Sequence, residues 1–263
     1  MNASLRPRGW LLALSALIVL AGIGWSLKDG PLAMTHAVGY AVCHQMRVRT
    51  YVFGERVLPL CARCSGQYLG AMTGFLLAFW RGRLRASGLP SRGLVIVLVA
   101  FLAIWGLDGI NSYVFLATQQ PFLYMPHNAL RLATGLLQGI AVSSFFIIFF
   151  NQVFWRQPDP RPLLTGWQDL GLLLLVATGL GLAVHSRWQP LFYPLALISA
   201  GGVFVMLSLV GLLTVVLLLK AENSGESWWD FVRVFIPGMA LALLLIAGID
   251  ALRAWGEQVA GMQ

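Results

Sequence analysis

Three cysteines, a histidine and four buried-type polar residues in the first half of the chain carry the chemistry. Cys43-His44-Gln45 precedes Cys61-Ala62-Arg63-Cys64-Ser65-Gly66-Gln67, and the chain has only these three cysteines. An odd, small number of cysteines does not make a disulfide framework, so a metal site or a special thiol is the chemistry to consider. Cys61 and Cys64 stand at i and i+3 where a helix begins, and that spacing puts two thiols on one helical face for a single ion. Cys43 and His44 are the nearest further ligands. Adjacent residues usually point apart, so one of them is expected to join, with Asp108, His36 or His127 as a fourth group. Thiolate and imidazole favour zinc, with Cu(I) as the other option.

The second set is Asp108 with Asn111, followed by Asn128 with Arg131. Both are i, i+3 pairs on apolar segments, so each segment offers a polar face. An ionised group at membrane depth costs on the order of 3 kcal/mol and turns toward a cavity or a partner. Asp108 and Arg131 are therefore expected to face one another, either as a lock between two helices or as catalytic groups, with Asp108 as base and Arg131 holding an anion.

The elements that position these residues follow from composition. The 263 residues are 58% hydrophobic and 11% charged, too few charges for the surface of a soluble domain. Apolar runs long enough to cross a bilayer recur along the chain. The expected fold is an all-α polytopic membrane bundle of about seven helices, near 10–27, 60–80, 93–117, 127–154, 167–185, 191–219 and 232–251. No small-x-small cleavage site follows the first span before Lys28, so it is expected to remain. The formal charge of +8 comes from short clusters, Arg6/Arg8, Arg81 to Arg92, Arg156/Arg161 and Lys220, which the positive-inside rule assigns to the cytoplasm. That rule places the N-terminus inside, the C-terminus outside, the segment 28–59 outside, and the protein in the inner cell membrane. Arg47, Arg49, Arg56 and Arg63 fall on the outer side against the charge bias.

The polar residues concentrate in 1–155, helices one to four with the Cys/His segment, whereas 156–263 holds three blander helices. Gly66, Gly70 and Gly74 repeat at four-residue spacing, as do Gly135 and Gly139, so two backbones can approach closely. The basic clusters lack interleaved aromatics and no phosphate-cradling Gly-Lys motif occurs, which excludes nucleic-acid binding and nucleotide hydrolysis. The lipid bilayer is the one partner implied.

At Cys43-His44-Gln45, Cys61 to Gly70, Asp108-Gly109-Ile110-Asn111 and Asn128 to Gly135 the chain resembles a family of uncharacterised prokaryotic multi-pass membrane proteins, over about residues 36–140. The resemblance implies a class and no reaction. Three functions follow from the residues themselves. The first is a Cys/His metal site beside the Asp/Arg pair, with metal-assisted chemistry on a lipid or its head group. The second is a quinone-coupled thiol oxidoreductase, since Cys61 lies at a helix start beside Arg63 and both features lower a thiol pKa. The third, a transporter, is weakened by the lack of inverted repeats or paired broken helices.

Overall fold

The computed structural model describes residues 9–261, and the orientation signals Arg6 and Arg8 lie outside them. Eight helices dominate: α1 (Gly9–Asp29), α2 (Pro31–Val42), α3 (Ala62–Trp80), α4 (Arg92–Thr118), α5 (Asn128–Phe154), α6 (Trp167–Ser186), α7 (Phe192–Leu218) and α8 (Trp228–Val259). The only strands among the described residues are two short pairs, β1 (Val52–Phe53) antiparallel to β2 (Arg56–Val57), and β3 (Ala86–Gly88) parallel to β4 (Asp159–Pro162). The fold is an all-α polytopic membrane bundle.

Six helices, α1 and α4 to α8, are long and apolar enough to cross a membrane. The seventh expected span is α3, 19 residues long but less apolar. The reason is visible in what it packs against. Ser65, Gly66, Gly70, Thr73 and Gly74 are all buried, so α3 meets protein along a polar, small-residue face and does not need the apolar surface a lipid-facing helix requires. The segment 28–59, expected as an outer segment with no helix assigned to it, also contains α2. Gly30 takes a positive φ of 85° and Pro31 occupies the first helical turn, a chain reversal that proline and glycine together stabilise.

The described residues group into two compact units. One comprises 9–44, Gln152–Gln157 and 203–261; the other comprises Gln45–Asn151 and Pro158–Gly202. In the first unit α1 and α2 pack on α8. The helix α8 starts with a capping box in which Ser227 and Asp230 satisfy each other's backbone amides. Its Gly238 abuts the Ser208 carbonyl of α7. Trp155 pairs edge-on with Phe154 and Trp228 beside the loop that leads into α8.

The second unit is organised by α3 against α5. The two glycine series interlock: a Cβ on Gly66 or Gly70 would collide with the backbone of Leu132 or Leu136, and one on Gly135 or Gly139 with the carbonyl of Arg63 or Gln67. The spacing read from the sequence is thus realised as a backbone-to-backbone contact. Away from the cysteines, Asp169 at the start of α6 accepts from Arg83 (2.7 Å) and pairs with Arg81 (2.9 Å). Asn151 of α5 donates to the carbonyls of Leu84 and Ala86. These bonds close that end of the unit.

Gly139→Ala is expected to destabilise the protein by about 1 to 3 kcal/mol, because the new methyl group meets backbone atoms that cannot rotate away. A lowered thermal midpoint in detergent, with Gly171→Ala on an open helix face unchanged, checks this.

Candidate functional site

The start of α3 is fixed by Leu58, Pro59 and Leu60, all buried, and by Ser65, whose hydroxyl donates to the Leu60 carbonyl (3.0 Å). Cys61 is the residue capping the helix and Cys64 closes its first turn; the Ser65 amide bonds back to the Cys61 carbonyl (2.8 Å). This turn brings the sulfurs of Cys61 and Cys64 within 4.8 Å of one another. Both residues are thiols, Cys61 buried and Cys64 partly exposed. The helix N-terminus lowers the energy of a thiolate at this position.

Arg63, between the two cysteines, reaches the side of α4. Its guanidinium binds the Asp108 carboxylate through Nε and Nη2, and also donates to the Asp108 carbonyl (3.0 Å) and the Ser112 hydroxyl (2.9 Å). The other carboxylate oxygen of Asp108 accepts from the Tyr124 hydroxyl at 2.6 Å. Thr134 of α5 approaches at 3.4 Å while bonding mainly to its own helix. Asp108 is 1% exposed, and both its oxygens are engaged, one by the Arg63 guanidinium and the other by the Tyr124 hydroxyl.

The expected direct pairing of Asp108 with Arg131 is replaced by this arrangement. Arg131 meets the network through Ser112, whose hydroxyl accepts from Arg63 and, at 3.4 Å, from Arg131. Arg131 also donates to Asn128 (3.0 Å), and Asn128 in turn donates to the Val48 carbonyl (3.2 Å). Buried at 6% exposure, Arg131 forms no salt bridge among the described residues. It lies within electrostatic reach of Cys61, Arg49, Arg63 and Asp108. Arg63 and Arg131, with Arg49 in reach, outnumber the one carboxylate of this network, Asp108.

Asn111 has a positioning role. Its side chain accepts from the Leu123 amide (2.8 Å) and donates to the Tyr124 carbonyl (3.0 Å), pinning the loop 119–127 so that Tyr124 reaches Asp108. Burial and the hydrogen bond to Asp108 push the Tyr124 phenol up to about 12 from 10.0. The neutral phenol is the form the fold favours, so its contribution is complete below pH 10.0 and is lost as pH rises through about 12. Near-ultraviolet phenolate absorbance should show one tyrosine titrating in that late range, and Tyr124→Phe should remove it.

All four polar candidates, Asp108, Asn111, Asn128 and Arg131, therefore belong to one network, which recruits Arg63, Ser112, Tyr124 and Thr134. The further ligand candidates are placed differently. His44 and His36 are exposed, and so is His127, whose ring accepts from the Leu130 amide (3.4 Å) at the start of α5. Gln45 donates to the Pro59 carbonyl (2.8 Å), two residues before Cys61. In the other unit Cys43 is buried at the end of α2, and its carbonyl accepts from Arg253 (2.8 Å). Two of the arginines that run against the charge bias are held locally. Arg63 binds Asp108, and the guanidinium of Arg56 lies 4.8 Å from the centre of the Tyr193 ring, a contact that tolerates a cation in a structured segment.

A family model described as predicted membrane protein (DUF2085) matches residues 43–145. An uncharacterised protein of Methanocaldococcus jannaschii is 30% identical over 121 residues, 45% of this chain and 70% of the relative. An uncharacterised protein of Methanothermobacter thermautotrophicus is 33% identical over 102 residues, 39% of this chain and 81% of the relative. The chain belongs to the DUF2085 family. No solved structure matches it. The DUF2085 segment starts at Cys43 and ends within α5, so it contains every cysteine and the whole Arg63/Asp108/Arg131 network, while α6, α7 and α8 lie outside it.

Proposed function

We propose that this DUF2085 protein is an integral membrane metalloprotein in which Cys43, Cys61 and Cys64 hold a thiophilic ion, zinc first and Cu(I) second. The observation that carries the reading is Arg131, a buried cation without a carboxylate of its own, within reach of Cys61. An uncompensated charge at such depth costs several kcal/mol, and thiolate sulfur bound to a metal supplies the missing anion. Cys61 and Cys64 give two ligands from one helical turn. Cys43 is argued from the chain: Gln45 is tied to Pro59, and the two cysteines stand two residues beyond each end of that bond. His44, exposed to solvent, is the less favoured ligand.

Three thiolates would leave such an ion able to take a water or an external anion. With Arg131 in electrostatic reach of Cys61, an anionic lipid head group would suit the site, and metal-assisted chemistry on such a group is the enzymatic form of the reading. Elemental analysis of the detergent-purified protein should find one equivalent of zinc or copper. Alkylating reagent should leave the thiols untouched until a chelator is added. A metal-free protein with Cys61 and Cys64 joined in a disulfide that follows quinone poise would replace this reading with thiol oxidation.

The same proposal places the thiols on the outer side of the inner cell membrane, with the N-terminus in the cytoplasm and the C-terminus outside. It rests on the basic runs at Arg81 to Arg92, Arg156/Arg161 and Lys220. A C-terminal alkaline phosphatase fusion should be active and a cytoplasmic reporter at the same point silent; the reverse pattern overturns the orientation.

A further inference from the structure

We propose that the first unit binds one membrane lipid with an ammonium head group, in a cavity between α1, α2 and α8, and that Asp250 recognises it. The cavity measures about 570 Å³, a volume typical of small-molecule sites. Ile18, Gly22 and Trp25 of α1 line it, and along α8 the lining passes from Leu243 and Leu244 to Asp250, nearly two turns on, so the leucines mark its apolar end and Asp250 its polar end. Gly22 lies against Leu243, which bounds the space. Tryptophan marks the level where a bilayer turns from hydrocarbon to head groups, so a cavity that holds Trp25 reaches head-group depth.

Asp250 is the one ionisable residue among those lining the cavity. One of its carboxylate oxygens is screened from solvent and receives no hydrogen bond from any described residue. The cation one turn away on α8, Arg253, is directed elsewhere: it donates to the carbonyls of Tyr40 and Cys43 and stacks on the Tyr40 ring at 4.0 Å. A screened acceptor requires a donor, and an ionisable side chain at membrane depth marks a partner. An amphiphile with an ammonium head satisfies both requirements, the hydrogen bond and the charge, while its tail fills the apolar end. A hydroxyl head group meets only the first, and an anionic one is repelled by Asp250. The lining residues all lie outside the DUF2085 segment, so the inference is independent of the thiol site.

The test uses the full chain in nanodiscs of equal phosphatidylethanolamine and phosphatidylglycerol, followed by delipidation in mild detergent and mass spectrometry of the lipid that stays bound. The wild type should retain one phosphatidylethanolamine. Asp250→Asn should lose the preference between the two lipids, and Ala247→Phe, which fills the cavity wall, should lose the lipid, both with thiol reactivity unchanged. Should Asp250→Asn fail to fold, Ala247→Phe decides. Retention of phosphatidylethanolamine by either variant at the wild-type level, or a wild type that holds phosphatidylglycerol, both lipids equally or nothing, overturns the proposal.

Discussion

Arg63→Met and Asp108→Asn are each expected to cost about 3 to 5 kcal/mol, because either change strands a charge or hydrogen-bonding group that its partner had compensated in a buried site. The double variant should recover part of that loss. A coupling on the order of 1 to 3 kcal/mol would be normal for groups in direct contact. The parallel cycle of Asp108→Asn with Arg131→Gln should be closer to additive, since those residues meet only across Ser112. Thermal or denaturant unfolding in detergent reads both cycles. Strong coupling in the second and none in the first would mean that the ion pairs are exchanged.

Cys61→Ser and Cys64→Ser are expected to abolish metal retention, whereas His44→Ala should leave it intact. Loss of one thiolate from a three-thiolate site removes a ligand and a charge together, and no imidazole at the start of α3 can replace it. Cys43→Ser should also release the metal, and this variant carries the most information, because Cys43 is the ligand argued from chain connectivity. Arg131→Gln should retain the ion with weaker affinity, since it removes the compensating cation and keeps every ligand. Metal content after dialysis against a graded series of chelator concentrations separates these outcomes.

Much of the bundle was legible in the sequence because apolar length and glycine spacing are local signals. Gly66, Gly70, Gly135 and Gly139 announced two helices open to close neighbours, and the fold joins α3 to α5 through them. The polar faces of Asp108/Asn111 and Asn128/Arg131 were equally plain. Their pairing was not, since it depends on a third helix. Arg63 stands in the first turn of α3, where spacing alone reads it as an outer-side cation beside Cys61, and only the packing of α3 beside α4 and α5 brings its guanidinium to Asp108. Tyr124 gave no signal, being a loop residue whose reach is set by the bonds of Asn111 to the backbone around it. Asp169 likewise carries no local signal of the two partners, Arg81 and Arg83, that the fold brings to it. The helix α2 was hidden by its brevity, 12 residues, which is too short for periodicity to separate it from a loop.

X-ray absorption spectroscopy at the edge of the copurified metal tests the central claim most directly. Three sulfur scatterers at about 2.3 Å and one lighter atom is the result expected for zinc held by Cys43, Cys61 and Cys64 with an open position. A shell of nitrogen and oxygen atoms alone, or a protein whose thiols are intact and carry no metal, would contradict it and return the cysteines to the packing of α3.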